Sequence, residues 1–150
     1  MTIAAILRHK GNEVISVRPD ASIAAVAALL DSRRIGAVVV QNEARTLLGI
    51  LSERDIIHAI ATRGPAALDL TADQLMTRNV QTAGRTTTLD QAMRVMSAGH
   101  FRHLPVEEDG ALIGVVSIRD VVEARIVEKE HEVATLRDYV GGRAYAGSPP

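Results

Sequence analysis

The chain has 150 residues, 47% of them apolar, with a formal net charge of -1 and no cysteine. That is enough chain for one compact domain or two small halves sharing a core, and it excludes disulfides, thiolate nucleophiles and iron–sulfur clusters. Near-neutral charge exerts no nonspecific pull on nucleic acid, and no run approaches the ~18 apolar residues of a membrane span. Met1 to Lys10 places its basic residues after a short apolar run, the reverse of a secretory signal. The expectation is a soluble, cytoplasmic protein. Its aromatics are Phe101, Tyr139 and Tyr145, so a planar ligand would sit between aliphatic side chains.

In chain order, Thr2 to Arg8 predicts a short helix and Val14 to Val17 a strand, ended by Pro19-Asp20. Ala21 to Arg33 predicts a helix with Ile23, Val26, Ala27 and Leu30 on one face. Ala37 to Val40 and Leu47 to Leu51 read as strands around the turn Gln41 to Thr46. Ser52 opens a helix carrying Ile56, Ile57 and Ile60, which stops near Gly64-Pro65. Gly64 to Thr77 is a linker with a helical turn at Ala72 to Met76. The order then repeats. Val80 to Ala83 is a strand, and Thr88 to Ala98 a helix with Leu89, Ala92, Met93 and Met96 inward. Phe101 to Val106 and Ala111 to Val116 are strands around the turn Glu107 to Gly110. A long helix runs from Ser117 to about Val140 and ends at Gly141-Gly142. The division expected is 1–66 for the first repeat with the N-terminal helix, 67–140 for the second with the linker and long helix, and 141–150 for a disordered tail.

The repeat is sharpest at Gly49-Ile50-Leu51-Ser52-Glu53-Arg54-Asp55, which returns as Gly114-Val115-Val116-Ser117-Ile118-Arg119-Asp120. A strand that stops at serine and becomes a helix leaves backbone N–H groups and a partial positive charge at the helix start, where phosphate binds readily. Ser52 and Ser117 offer hydroxyls, Arg54 and Arg119 offer guanidinium forks, and Asp55 and Asp120 suit the vicinal hydroxyls of a ribose. Ser-x-x-Asp is equally a helix cap, and most such caps bind nothing. Recurrence of the same Arg at equal register favours two ligand sites.

A second constellation, His100-Phe101-Arg102-His103-Leu104-Pro105-Val106, stands where the first half has Arg34-Ile35-Gly36-Ala37-Val38-Val39-Val40. Arg102 and His103 either face phosphate across a cleft or point to solvent as alternate strand residues. On the first of these readings Gly36 and Ala37 leave room for a base or sugar. His100 and His103 lack partners at metal-ligand spacing, and no Gly-x-Ser-x-Gly elbow is present, so neither a metal site nor a catalytic residue is expected.

Together with Leu75-Met76-Thr77 before the second unit, these features resemble a tandem pair of cystathionine-β-synthase (CBS) domains, a Bateman module, over about residues 3–127. The resemblance implies an α/β fold of two βαββα repeats related by a pseudo-twofold axis. It implies a non-enzymatic regulatory module binding AMP, ADP or ATP, with NAD(H) or S-adenosylmethionine as further candidates. It also implies a homodimer and signalling to a client protein. Carried onto this chain, Asp55 and Asp120 hold ribose, and Ser52, Arg54, Arg102, His103, Ser117 and Arg119 contact phosphate. Ser16-Val17 with Ile35-Gly36-Ala37 enclose adenine in one site, and Thr82-Ala83 with Phe101 and Leu104-Pro105 in the other. Ala83-Gly84-Arg85-Thr86 lacks the proline of Val17-Arg18-Pro19-Asp20, which either loosens the strand end beside the second base pocket or makes Arg85 an extra phosphate contact. The rival expectation is a structural or dimerisation module with empty sites. It would act through the C-terminal helix, where Ile126, Val133 and Val140 recur every seven residues beside Val122 and Leu136.

Overall fold

The computed structural model describes residues 1–146, with side chains described as far as Gly141. The elements are α1 (Ile3–Lys10), β1 (Ser16–Val17), α2 (Ile23–Arg33), β2 (Ala37–Gln41), β3 (Leu47–Ser52) and α3 (Glu53–Arg63). A 3-10 turn over Gly64–Asp69 follows, then α4 (Ala72–Leu75), α5 (Leu89–Gly99), β4 (His103–Glu108), β5 (Ala111–Ser117) and α6 (Ile118–Ala146). This is the α/β architecture of two like repeats, with an extended last helix. No helix among the described residues is long and apolar enough to cross a membrane.

In the first repeat β1 runs parallel to β2, pairing Ser16 with Val39 and Val17 with Val40, and β2 runs antiparallel to β3. The second repeat keeps the antiparallel pair β4–β5. The strand expected at Val80 to Ala83 shrinks to one parallel bridge, Ala83 to Val106. Ala83 N–H donates to Pro105 O at 2.8 Å, and Glu107 N–H donates to Ala83 O at 2.8 Å. Left-handed Asn79 (φ 57°) turns the chain just before this segment, and Val80 and Gln81 face a cleft instead of a neighbouring strand.

Helix starts follow the sequence closely because side-chain caps satisfy their first N–H groups. Ser22 accepts from Ala25 N–H, Thr88 with Gln91 forms a capping box, and the Gln74 side chain accepts from Thr71 N–H at 3.0 Å. Helix α6 passes through Gly141-Gly142 and continues to Ala146, so these glycines do not end it. A glycine pair weakens a helix interior by roughly 1 kcal/mol per residue without forbidding it. The rest of the expected tail, 147–150, lies outside the described residues.

Two apolar cores form, and neither is made from one contiguous half. Ile3, Ile6 and Leu7 of α1 pack with Leu89, Met96, Leu104, Val106, Val116 and Val121 of the second repeat. Ala72 and Met76 of the linker pack with Ile23, Val26, Leu30, Val38, Val40, Leu51 and Ile56 of the first. Sequence order had grouped α1 with the first repeat and the linker with the second; packing exchanges them. Backbone bonds mirror the exchange. Ile3 N–H donates to Thr87 O at 2.9 Å, while Ile23 N–H donates to Leu70 O and Ala72 N–H to Ala21 O, both at 2.8 Å. Ile57 and Ile60 on α3 are exposed, as is Val122 on α6.

The exchange explains the motif glycines. A Cβ on Gly49 would lie 2.6 Å from Met76 Sδ and 2.7 Å from Thr77 O. A Cβ on Gly114 would lie 2.7 Å from Leu7 Cδ2. Each glycine lets the exchanged segment lie directly on the strand.

Candidate functional site

Both copies of Ser-x-Arg-Asp fold as capping boxes. Ser52 N–H donates to Asp55 Oδ2 at 2.9 Å and Asp55 N–H to Ser52 Oγ at 3.3 Å. Ser117 N–H donates to Asp120 Oδ2 at 2.8 Å and Asp120 N–H to Ser117 Oγ at 3.1 Å. A further N–H of each first turn is also taken. Glu53 N–H donates to Gly36 O at 2.9 Å, and Ile118 N–H donates to Arg102 O at 2.7 Å. The helix starts are therefore less open to phosphate than the sequence suggests. In the first turn of α3, Arg54 N–H has no hydrogen-bond partner among the described residues. The capping role and a binding role are compatible. Each carboxylate spends one oxygen on its cap, and each serine hydroxyl still has its proton to donate.

The bonds from Glu53 and Ile118 also fix where β2 and β4 begin. Helices α2 and α5 both end on a left-handed residue, Arg34 (φ 53°) and His100 (φ 57°). The chain then turns sharply, and Gly36-Ala37 and Arg102-His103 come up against the motif helices.

One cleft of about 360 Å³ collects these pieces. Ser52, Arg54 and Asp55 stand on one side, with Gly36 and Ala37 beside them. Phe101, Arg102 and His103 stand on the other. The sequence reading had put Gly36-Ala37 and Phe101 in different sites; they share this one. The cleft also takes Ile50, Glu53, His100 and Thr77, which the motifs contain but to which no site role was given, and Gly99, Asn79, Val80 and Gln81 from outside the motifs. The linker arrives there because Thr77 bridges to Ile50, with Ile50 N–H to Thr77 O at 3.1 Å and Thr77 N–H to Ile50 O at 2.9 Å. Leu75-Met76-Thr77 was the sequence signal nearest to this, but only the packed linker shows where it lies.

The side chains of Arg54 and Arg102 are exposed and make no hydrogen bond or ion pair with another described residue. Their guanidiniums balance the two carboxylates of Glu53 and Asp55 and are free to form charge-assisted forks with an anion. Its polar groups stand around Ile50, Ala37, Val80 and Phe101, an arrangement typical of small-molecule sites.

Other expected site residues lie elsewhere. Ala83 and Leu104 are buried in the second core, and Pro105 is buried beside them in β4. Val17 and Ile35 pack on the first core, and Ser16 pairs with Val39 in the sheet. Thr82 lines a shallow groove with Leu47, Arg78 and Glu107. Arg85 binds Glu108 at 2.7 Å and does not line the cleft. The room beside Gly36 is already taken. A Cβ there would lie 3.1 Å from His103 Cε1 and 3.2 Å from Nε2, so the glycine admits an imidazole.

Burial pushes the His103 imidazole below its ordinary pKa of 6.5, helped by Lys10 and Arg102 and opposed by Glu53 and Asp120. A histidine held neutral by folding takes up protons on unfolding as pH falls below its unfolded value. Stability should therefore decline as pH drops through 6.5 toward the lower folded value. Urea midpoints are expected to fall between about pH 7.5 and 5.5, with a shallower slope in His103→Gln. Asp120 titrates outside that window. Burial alone would raise its carboxyl, but the Lys10 ammonium and the Ser117 N–H outweigh it and hold it below 3.8. Its contribution is present above 3.8 and lost as pH falls through the lower folded value.

The CBS domain model matches the chain twice, at residues 5–62 and 72–127. A CBS-domain-containing protein from Agrobacterium tumefaciens is 44% identical with a TM-score of 0.81, covering 83% of this chain and 92% of that one. A CBS domain protein from Pyrobaculum aerophilum, solved in complex with AMP, is 29% identical with a TM-score of 0.71, covering 80% and 89%. The CBS domain pair of the protein MJ0100, solved with 5'-methylthioadenosine and S-adenosyl-L-methionine, is 26% identical with a TM-score of 0.74, covering 83% and 98%. Two family matches over most of the chain agree with two repeats that exchange their flanking segments around a shared cleft: this chain belongs to the CBS domain family.

Proposed function

We propose that this chain is a non-enzymatic regulatory module that binds an adenosine nucleotide in the cleft between its repeats and signals to a client protein by a change of conformation. The observation that carries this is the convergence of Ser52, Arg54 and Asp55 from one repeat with His100, Arg102 and Phe101 from the other. Asp55 takes the ribose hydroxyls. Arg54, Arg102 and the Ser52 hydroxyl take phosphate, and the base lies among Ile50, Ala37, Val80 and Phe101. AMP bound to the Pyrobaculum relative, and S-adenosylmethionine bound to another, support an adenosine ligand. AMP, ADP and ATP are the leading candidates, with NAD(H) and S-adenosylmethionine next. A ligand touching both repeats binds one relative arrangement of them better than another, and that difference is what drives a response. Calorimetric titration of nucleotide-free protein with each ligand tests the proposal; micromolar binding by one of them supports it, and no heat from any refutes it.

A second reading, a structural module acting through α6, is favoured by one observation. Val133, Leu136 and Val140 all lie on an exposed stretch of that helix. Contiguous exposed apolar side chains mark an interaction surface. On the regulatory proposal, removing residues after Glu128 leaves nucleotide affinity within about twofold. On the second reading the intact chain gives no heat, and the same truncation converts a dimer to monomers in sedimentation velocity.

A further inference from the structure

The two copies of the motif are not in the same state. At the first, the carbonyl of Ile50 accepts from the backbone N–H of Thr77, and the Asp55 side chain has only its cap to bond. At the second, the carbonyl of Val115, which holds Ile50's place in the repeat, accepts instead from Lys10 Nζ at 2.9 Å. The same ammonium lies 2.7 Å from Asp120 Oδ2. Lys10 is the last residue of α1, the helix that packing delivers to the second repeat. One side chain thus both replaces a backbone pairing and covers the carboxylate.

We infer that Lys10 is a built-in latch on the second motif: its ammonium lies against the capping oxygen of Asp120 and the Val115 carbonyl, so that a nucleoside must displace an internal cation before its ribose can bind there. The inference rests on the nucleotide reading above for the identity of the ligand, and on the contacts of Lys10 for the asymmetry. Asp55 stands ready in the first cleft, whereas Asp120 must first release its partner. The two motifs of one chain therefore take up nucleoside in order, the first before the second. Lys10 is half-exposed, which makes the latch reversible: an ion pair of this exposure shifts an affinity by up to about fivefold.

The test isolates the second motif with D55A and compares AMP affinity with and without K10M, by calorimetry. In parallel, carboxyl NMR follows the titration of Asp120 in nucleotide-free wild type and K10M. The expected result is AMP affinity about fivefold tighter in D55A/K10M than in D55A, with Asp120 titrating at higher pH once Lys10 is gone. Unchanged or weaker AMP binding in the double variant overturns the latch, the latter by making Lys10 a ligand contact. Unchanged Asp120 titration overturns it too, by removing the contact. Failure of the nucleotide reading looks different: wild type, K10M and D55A/K10M all take up no AMP, while Asp120 titration still decides whether Lys10 holds it.

Discussion

Replacing Asp55 with alanine is expected to weaken adenosine-nucleotide binding to the first cleft about 100-fold while costing only about 1 kcal/mol of folding stability. The two effects separate because the carboxylate has two jobs. Its Oδ2 accepts from Ser52 N–H at 2.9 Å and closes the cap of α3, a contribution of the usual capping size. Its remaining acceptor capacity is what a ribose diol needs. Two hydrogen bonds to a charged acceptor contribute about 3 kcal/mol or more together, which is about 100-fold in affinity. Asp55→Asn divides the roles further. The amide oxygen keeps the cap, but the amide nitrogen presents a donor where the diol needs an acceptor. Binding should be lost with stability nearly intact, read by calorimetry and urea denaturation. Asn binding within about threefold of wild type would remove Asp55 from the ribose contact.

Replacing Ile3 with alanine is expected to cost about 2–5 kcal/mol, the range for emptying a fully buried aliphatic site. Ile3 is completely buried among the side chains of the second core. Although it lies at the start of the chain, its loss should open the second repeat first. Amide exchange is expected to accelerate in β4, β5 and α5 before β2, β3 and α2. Exchange accelerating first around β2 and β3 would contradict the exchanged packing of α1. Val122→Ala, on an exposed position of α6, should change stability little.

Much of this organisation was legible in the sequence because it depends on neighbours in the chain. Apolar residues at helical spacing marked the inward faces of α2 and α5, and Ile23, Val26, Leu30, Leu89, Ala92 and Met96 are buried as that spacing requires. Ser52 and Ser117 marked the starts of α3 and α6, since an N-cap is a contact over three residues. The repeated Ser-x-Arg-Asp indicated two equivalent units.

Which pieces meet across the chain was decided only by the tertiary structure. The family resemblance places Gly36-Ala37 and Phe101 in two sites, yet they line the same cleft. The family resemblance makes Leu104 and Ala83 base contacts, but a core needing apolar volume takes them. Residues 1–10 and the linker looked like flanks of the repeats that follow or precede them. Each instead supplies the other repeat with buried surface. The non-equivalence of Asp55 and Asp120 is likewise invisible in two identical motifs. It arises because the segment delivered to the second motif ends in Lys10, whose ammonium reaches a carbonyl and a carboxylate that lie more than a hundred residues away along the chain. Local patterns determine elements and caps, because their energies come from adjacent residues. The occupancy of a cleft depends on long-range packing, because apolar burial rewards any segment that fits.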